Sequence, residues 1–168
     1  NVRSVEMDEL FRIKPESLSQ LIEADRKNGL TPFLVVASAG TTNTGSVDPI
    51  EDISNVCKSE SLWLHVDAAY AGFAVLTEEG RSMLGRLDLA DSLTLDPHKW
   101  LFVPFECGCL MLRDPSHLSD AFRILPEYLK DVEPGEAEVN FADRGVQLTR
   151  YSRALKIWVS INYFGTRA

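Results

Sequence analysis

Three positions along the chain place reactive or ligand-accepting side chains just after a strand-like run. Asp67 follows Leu62-Trp63-Leu64-His65-Val66 and opens Asp67-Ala68-Ala69-Tyr70-Ala71-Gly72. A carboxylate at the end of a buried strand is costly unless it meets a cation or caps the next turn. Lys99 lies in Asp96-Pro97-His98-Lys99-Trp100, after Ser92-Leu93-Thr94-Leu95. Most lysines sit on the surface. One in an apolar setting, such as the Trp100–Phe105 run that follows, offers a neutral amine as a nucleophile. The third position is Ser38-Ala39-Gly40-Thr41-Thr42-Asn43-Thr44-Gly45, after the run Phe33–Ala37. Its small hydroxylated residues either form an ordinary polar loop or let a ligand approach the backbone. It carries neither a dinucleotide nor a Walker fingerprint.

The elements that must position these residues alternate. Pro15 opens a helix through Glu16–Asn28, with Gly29 past its end. Asp48, Pro49 and Glu51 read as a capping-box start for a helix carrying Ile53, Val56 and Cys57. Further helices are expected over Glu78–Leu84, from Asp114-Pro115 through Phe122, and over Ser152–Phe164, the last ending at Gly165. The strands are Phe33–Ala37, Leu62–Val66, Ser92–Leu95 and Cys107–Leu112. Such alternation gives an α/β fold, a mainly parallel sheet flanked by helices, with apolar strands suited to burial on both faces. Sheets of this kind bind ligands at the carboxyl ends of their strands, where Asp67, Lys99 and the hydroxyl-rich loop fall.

Composition narrows the classes. The 168 residues are 45% hydrophobic and 25% charged, a globular balance. With 17 Lys plus Arg against 25 Asp plus Glu, the net charge of −8 argues against nucleic acid and anionic membranes as partners. No apolar run approaches the roughly 18 residues of a spanning helix. The chain lacks an initiator Met and a secretory pattern, as expected for a sequence starting mid-protein. Three cysteines, an odd count, with Cys107 and Cys109 as neighbours on one strand face, imply reduced thiols in a cytoplasmic protein. His65 next to Asp67 is a weak metal pair: His98 and His117 lie far along the chain, so no metal is expected.

One cofactor uses both the lysine and the aspartate. Pyridoxal phosphate forms a Schiff base with a lysine amine, and a carboxylate keeps its pyridine nitrogen protonated as an electron sink. The segments HVDAAYAG (His65–Gly72) and DPHKW (Asp96–Trp100) resemble the two signatures of the group II pyridoxal-phosphate decarboxylases, most closely the aromatic-L-amino-acid decarboxylases. The resemblance runs from Pro15 through RALKIWVSINYFG. It implies a fold-type I transferase large domain, of which residues 1–168 would be the C-terminal part. The upstream phosphate-binding part and the C-terminal small domain would then be absent, leaving about a third of the parent enzyme.

The resemblance also implies roles. Lys99 is the Schiff-base lysine, Asp67 the partner of the pyridine nitrogen, and Ala69 the small residue against the ring. Thr42 lies near the cofactor, His98 near its phosphate and the substrate, and Phe105 in the substrate pocket. Asp96 occupies a position where the family often donates to the phosphate; an ionised carboxylate cannot donate, so neighbouring donors or a changed geometry must serve. Phe122–Lys130 resembles the mobile catalytic loop, in which Tyr128 protonates the substrate carbon after carbon dioxide leaves; taken alone, Tyr128 is equally a half-buried aromatic anchor. The implied activity is decarboxylation of an aromatic L-amino acid by a homodimer. The alternatives are an aromatic aldehyde synthase (in which the loop tyrosine is typically Phe), a glutamate decarboxylase, or a non-catalytic interaction module.

Overall fold

The computed structural model describes residues 1–123 and 139–165. Six α-helices and four strands are found among them: α1 (Pro15–Lys27), β1 (Leu34–Ser38), α2 (Ile50–Glu60), β2 (Trp63–Asp67), α3 (Glu78–Leu84), β3 (Ser92–Leu95), α4 (Pro97–Trp100), β4 (Cys109–Leu112), α5 (Ser116–Phe122) and α6 (Arg153–Phe164). The strands form one sheet in the order β1-β2-β3-β4. β1, β2 and β3 are parallel, and β4 runs antiparallel to β3. The architecture is therefore α/β with a mainly parallel sheet.

The register divides the sheet into two unlike faces. Val35, Ala37, Leu64, Val66 and Leu95 point into a core shared with Leu18 and Ile22 of α1 and Ile50, Ile53 and Cys57 of α2. Alternate positions carry Leu34, Val36, Trp63, His65, Asp67 and Leu110. Among the described residues this second face is open: Val36 is 52% exposed and Leu110 51%. Burial on both faces, expected from the apolar strands, is thus met on one. Leu34 and Val36 are 44% and 52% exposed, so covering the rest of each would add about 1 kcal/mol, and the open face is a real thermodynamic asymmetry.

Local chemistry accounts for most boundaries. Pro15 takes the first helical position of α1, where the N–H that proline lacks would have had no intrahelical partner, and Gly29, at φ 75°, follows the C-cap. The expected capping box at Asp48 is not formed: Pro49 is the N-cap of α2 and makes no side-chain cap hydrogen bond. The Asp48 carboxylate instead accepts from the backbone N–H groups of Ile13 and Ser38, both at 2.7 Å. It is buried, and it joins the N-terminal segment to the end of β1. β4 begins at Cys109 rather than Cys107, so the two cysteines do not share a strand; both are free thiols. No helix of the described residues is long and apolar enough to cross a membrane.

Candidate active site

The carboxyl ends of β1, β2 and β3 lie side by side, and backbone hydrogen bonds continue the sheet beyond them. Ala39 N–H donates to the Asp67 carbonyl (2.9 Å), Ala68 N–H to that of Thr94 (3.1 Å), and Asp96 N–H to that of Ala69 (3.2 Å). Two glycines permit this convergence. Gly40 has φ 81°, and a Cβ there would lie 2.3 Å from that of Ala71. A Cβ at Gly72 would meet Leu95 Cδ2 at 2.2 Å. The hydroxyl-rich loop thus uses its first glycine to let the turn after β2 approach. Thr41 ties that loop together, bonding Thr44 (2.7 Å) and accepting from Ser46 N–H (3.1 Å), while Thr42 is exposed on it.

Asp67 sits at the end of β2 but is exposed, which corrects the expectation of a buried carboxylate. Its Oδ1 accepts from Ala69 N–H at 3.0 Å, the turn-capping role that was the plainer alternative. Asp96 and Lys99 flank the first turn of α4. Lys99 Nζ lies 2.8 Å from Asp96 Oδ2, with the side chains 33% and 18% exposed. The amine is thus held in an ion pair rather than standing unpaired. The pairing also gives Asp96 a partner other than an anion.

His98 is oriented by the backbone of one residue, Cys107. Its Nδ1 is 2.7 Å from the Cys107 carbonyl and 3.0 Å from the Cys107 N–H. A protonated Nδ1 donates to the former, and a bare one accepts from the latter. Nε2 lies 4.0 Å from Asp96 Oδ2. The Phe105 ring meets the imidazole edge-on at 5.1 Å between centroids, yet Phe105 is 83% exposed. Tyr128 and its neighbours 124–138 lie outside the described residues.

A hydrogen-bonded group lies on the same sheet face as Asp67. Ser92 Oγ accepts from Trp63 Nε1 (2.8 Å) and bonds His65 Nδ1 (2.7 Å), and His65 Nε2 bonds Thr94 Oγ1 (3.1 Å). Burial pushes the His65 imidazole below its ordinary pKa, against the pull of Asp67. The period-two spacing of Trp63, His65 and Asp67 is the signal that puts them on one face. Farther out, Lys156 Nζ donates to the carbonyls of Pro104 (3.1 Å) and Glu106 (2.8 Å), and Arg153 pairs with the Glu106 carboxylate. Arg153 and Lys156 are three apart on α6, a spacing that shares a helix face.

A lysine amine and a carboxylate on adjacent strand ends are the donor set a pyridine aldehyde requires, so these residues fit pyridoxal phosphate. All of residues 1–168 match the model of the pyridoxal-dependent decarboxylase conserved domain. The chain belongs to the pyridoxal-dependent decarboxylase family. It is 47% identical over 165 residues to an aromatic-L-amino-acid decarboxylase of Bacillus atrophaeus, covering 98% of this chain and 34% of the relative. A phenylacetaldehyde synthase of Petunia hybrida is 39% identical over 156 residues, covering 92% and 31%. The crystal structure of Oryza sativa TDC with PLP and tryptamine matches at a TM-score of 0.91 and 34% identity, covering 99% of this chain and 35% of that one. The chain spans about a third of the length of these family members. Among the described residues, no group of three or more His, Cys, Asp or Glu is arranged to hold a metal ion.

Proposed function

We propose that this chain is the C-terminal part of the cofactor-binding large domain of a pyridoxal-phosphate enzyme, which decarboxylates an aromatic L-amino acid to its amine and carbon dioxide. The observation that carries the proposal is the placement of Asp67 and Lys99 at the neighbouring carboxyl ends of β2 and β3. Bound pyridoxal phosphate supplies the electron sink that accepts the pair left behind when a carboxylate departs. The chain's own residues do the rest. Lys99 anchors the cofactor through its amine, which in this structure is paired with Asp96 Oδ2 at 2.8 Å. Asp67 holds a proton on the ring nitrogen. Ala69 leaves room beside the ring, and Thr42 and His98 flank it. Phe105 provides an aromatic wall for the substrate. Tyr128 returns a proton to the substrate carbon, which favours an amine over an aldehyde product.

The working form in this reading is a cytoplasmic homodimer. The free thiols of Cys57, Cys107 and Cys109 support a reducing compartment. The test uses the full-length protein. Lys99→Ala is expected to abolish both the cofactor's visible absorbance and turnover, and normal turnover in that variant would sink the proposal. Product analysis of the unaltered enzyme separates the two family chemistries: amine alone supports decarboxylation, whereas aldehyde with peroxide supports the synthase.

A further inference from the structure

The segment joining α4 to β4 holds the His98 imidazole but has little structure of its own. Pro104, Phe105 and Glu106 are exposed and lie in neither helix nor strand. Only Val103 and Cys107 are buried in it, at 3% and 1%. Its position is set from α6, some fifty residues away in sequence. Lys156 Nζ donates to carbonyls on two of its residues, Pro104 and Glu106. Arg153 grips the Glu106 side chain, and its carbonyl lies 3.9 Å from Cys107 Sγ, within reach of a weak thiol donor. Both cations therefore act on the residues immediately before Cys107, whose backbone N–H and carbonyl both lie within hydrogen-bond distance of His98 Nδ1.

We propose that Lys156 and Arg153 are positioning residues for His98: one turn of α6 fixes the segment that fixes the imidazole. An ammonium donating to two carbonyls makes charge-assisted bonds, shorter and stronger than neutral ones. Without them the segment keeps its buried anchors and the Val103 N–H bond to the Pro97 carbonyl, and the Cys107 backbone loses its fixed distance to Nδ1. Arg153 and Glu106 stabilise each other's charged forms through the same contact: the Arg153 guanidinium lowers the Glu106 carboxyl below its ordinary range, and Glu106 raises the guanidinium. The inference rests on the reading above in which His98 faces the cofactor.

The experiment is an equilibrium titration of the cofactor-stripped full-length protein with pyridoxal phosphate, followed by absorbance. Lys156→Met is expected to weaken binding on the order of tenfold, the scale on which outer residues act through a group they orient. Lys156→Arg keeps the cation and should bind within about twofold of the unaltered protein. In a His98→Ala background, Lys156→Met should cause no further loss, because the group it acts through is gone. Glu106→Gln, which loosens the same segment without altering α6, should show a smaller loss that also vanishes with His98→Ala; it serves if Lys156→Met fails to fold. Losses that multiply in the double variant, or unaltered binding by both Lys156→Met and Glu106→Gln, overturn the inference alone. Unaltered binding by His98→Ala overturns the site reading and the inference with it.

Discussion

Asp96→Asn is expected to tighten cofactor binding, although it removes the ion pair nearest the reactive amine. Lys99 Nζ and Asp96 Oδ2 are 2.8 Å apart, and both side chains meet solvent, at 33% and 18% exposure. A pair of that exposure is worth about 0.5–1 kcal/mol once screening and side-chain entropy are counted. That energy opposes any use of the amine as a nucleophile, because the pair must separate first. If the cofactor phosphate lies beside Asp96, as the family resemblance implies, the carboxylate adds repulsion of about 1 kcal/mol in a water-accessible setting. Asparagine removes both effects and supplies an N–H donor where the carboxylate has none. At about 1.4 kcal/mol per factor of ten, the expected gain is about tenfold in affinity. Titration of the cofactor-stripped full-length protein, monitored at the cofactor's visible band, reads it directly. Raising the salt concentration should narrow the gap between the two proteins, because surface pairs are screened. An asparagine variant that binds no more tightly, or a gap indifferent to salt, would refute the electrostatic reasoning.

Other expectations follow from single contacts. His65 is held below its ordinary value of 6.5, so between its folded pKa and 6.5 the unfolded chain binds more protons and stability falls as the pH drops through that window. Thermal melts from pH 7.5 to 5 should show this, with a shallower fall in His65→Gln. Gly40→Ala combines a positive φ with a collision against Ala71 and should cost about 2–4 kcal/mol, whereas Gly45→Ala meets open space at φ 68° and should cost about 1 kcal/mol. Denaturant titration of both variants isolates the packing part, and equal losses would remove it. Burial pushes the Cys57 thiol up to about 11, so at pH 8 it should resist alkylation in the folded protein and react once denaturant is added. Rapid native labelling at Cys57, found by peptide mass mapping, would contradict its placement in the core.

What could be read from the chain was local. Pro15, Gly29 and Gly165 mark helix ends because proline and glycine act on the backbone they occupy. Ser92–Leu95 and Glu78–Leu84 match their elements, being short runs bounded by turn residues. Phe33 is apolar yet precedes its strand and is 74% exposed, because the register with β2 begins at Leu34. Pro97 opens the single turn α4, a helix too short to leave a periodic pattern, since its fixed φ suits a first helical position. Asp48 was read from its neighbours as a cap, whereas its partners Ile13 and Ser38 are 35 and 10 residues distant and leave no local signature. The site divides the same way. Strand ends located Asp67 and Lys99, but the Asp96 pair, the exposure of Asp67 and the hold of Lys156 on Pro104 and Glu106 depend on tertiary approach.

The hydrogen bonds that extend the sheet past its strand ends have a consequence for binding kinetics and entropy. Ala39 is tied to Asp67, Ala68 to Thr94 and Asp96 to Ala69, and Gly40 is pressed against Ala71. The three loops are therefore laced into one plate and do not wander independently. A ligand that settles on such a plate has little backbone to immobilise, and ordering costs fall accordingly. Association should then be limited by encounter and by release of the Lys99 amine rather than by loop closure over these residues. Loosening a single lace, as at Gly40, would be felt at all three strand ends.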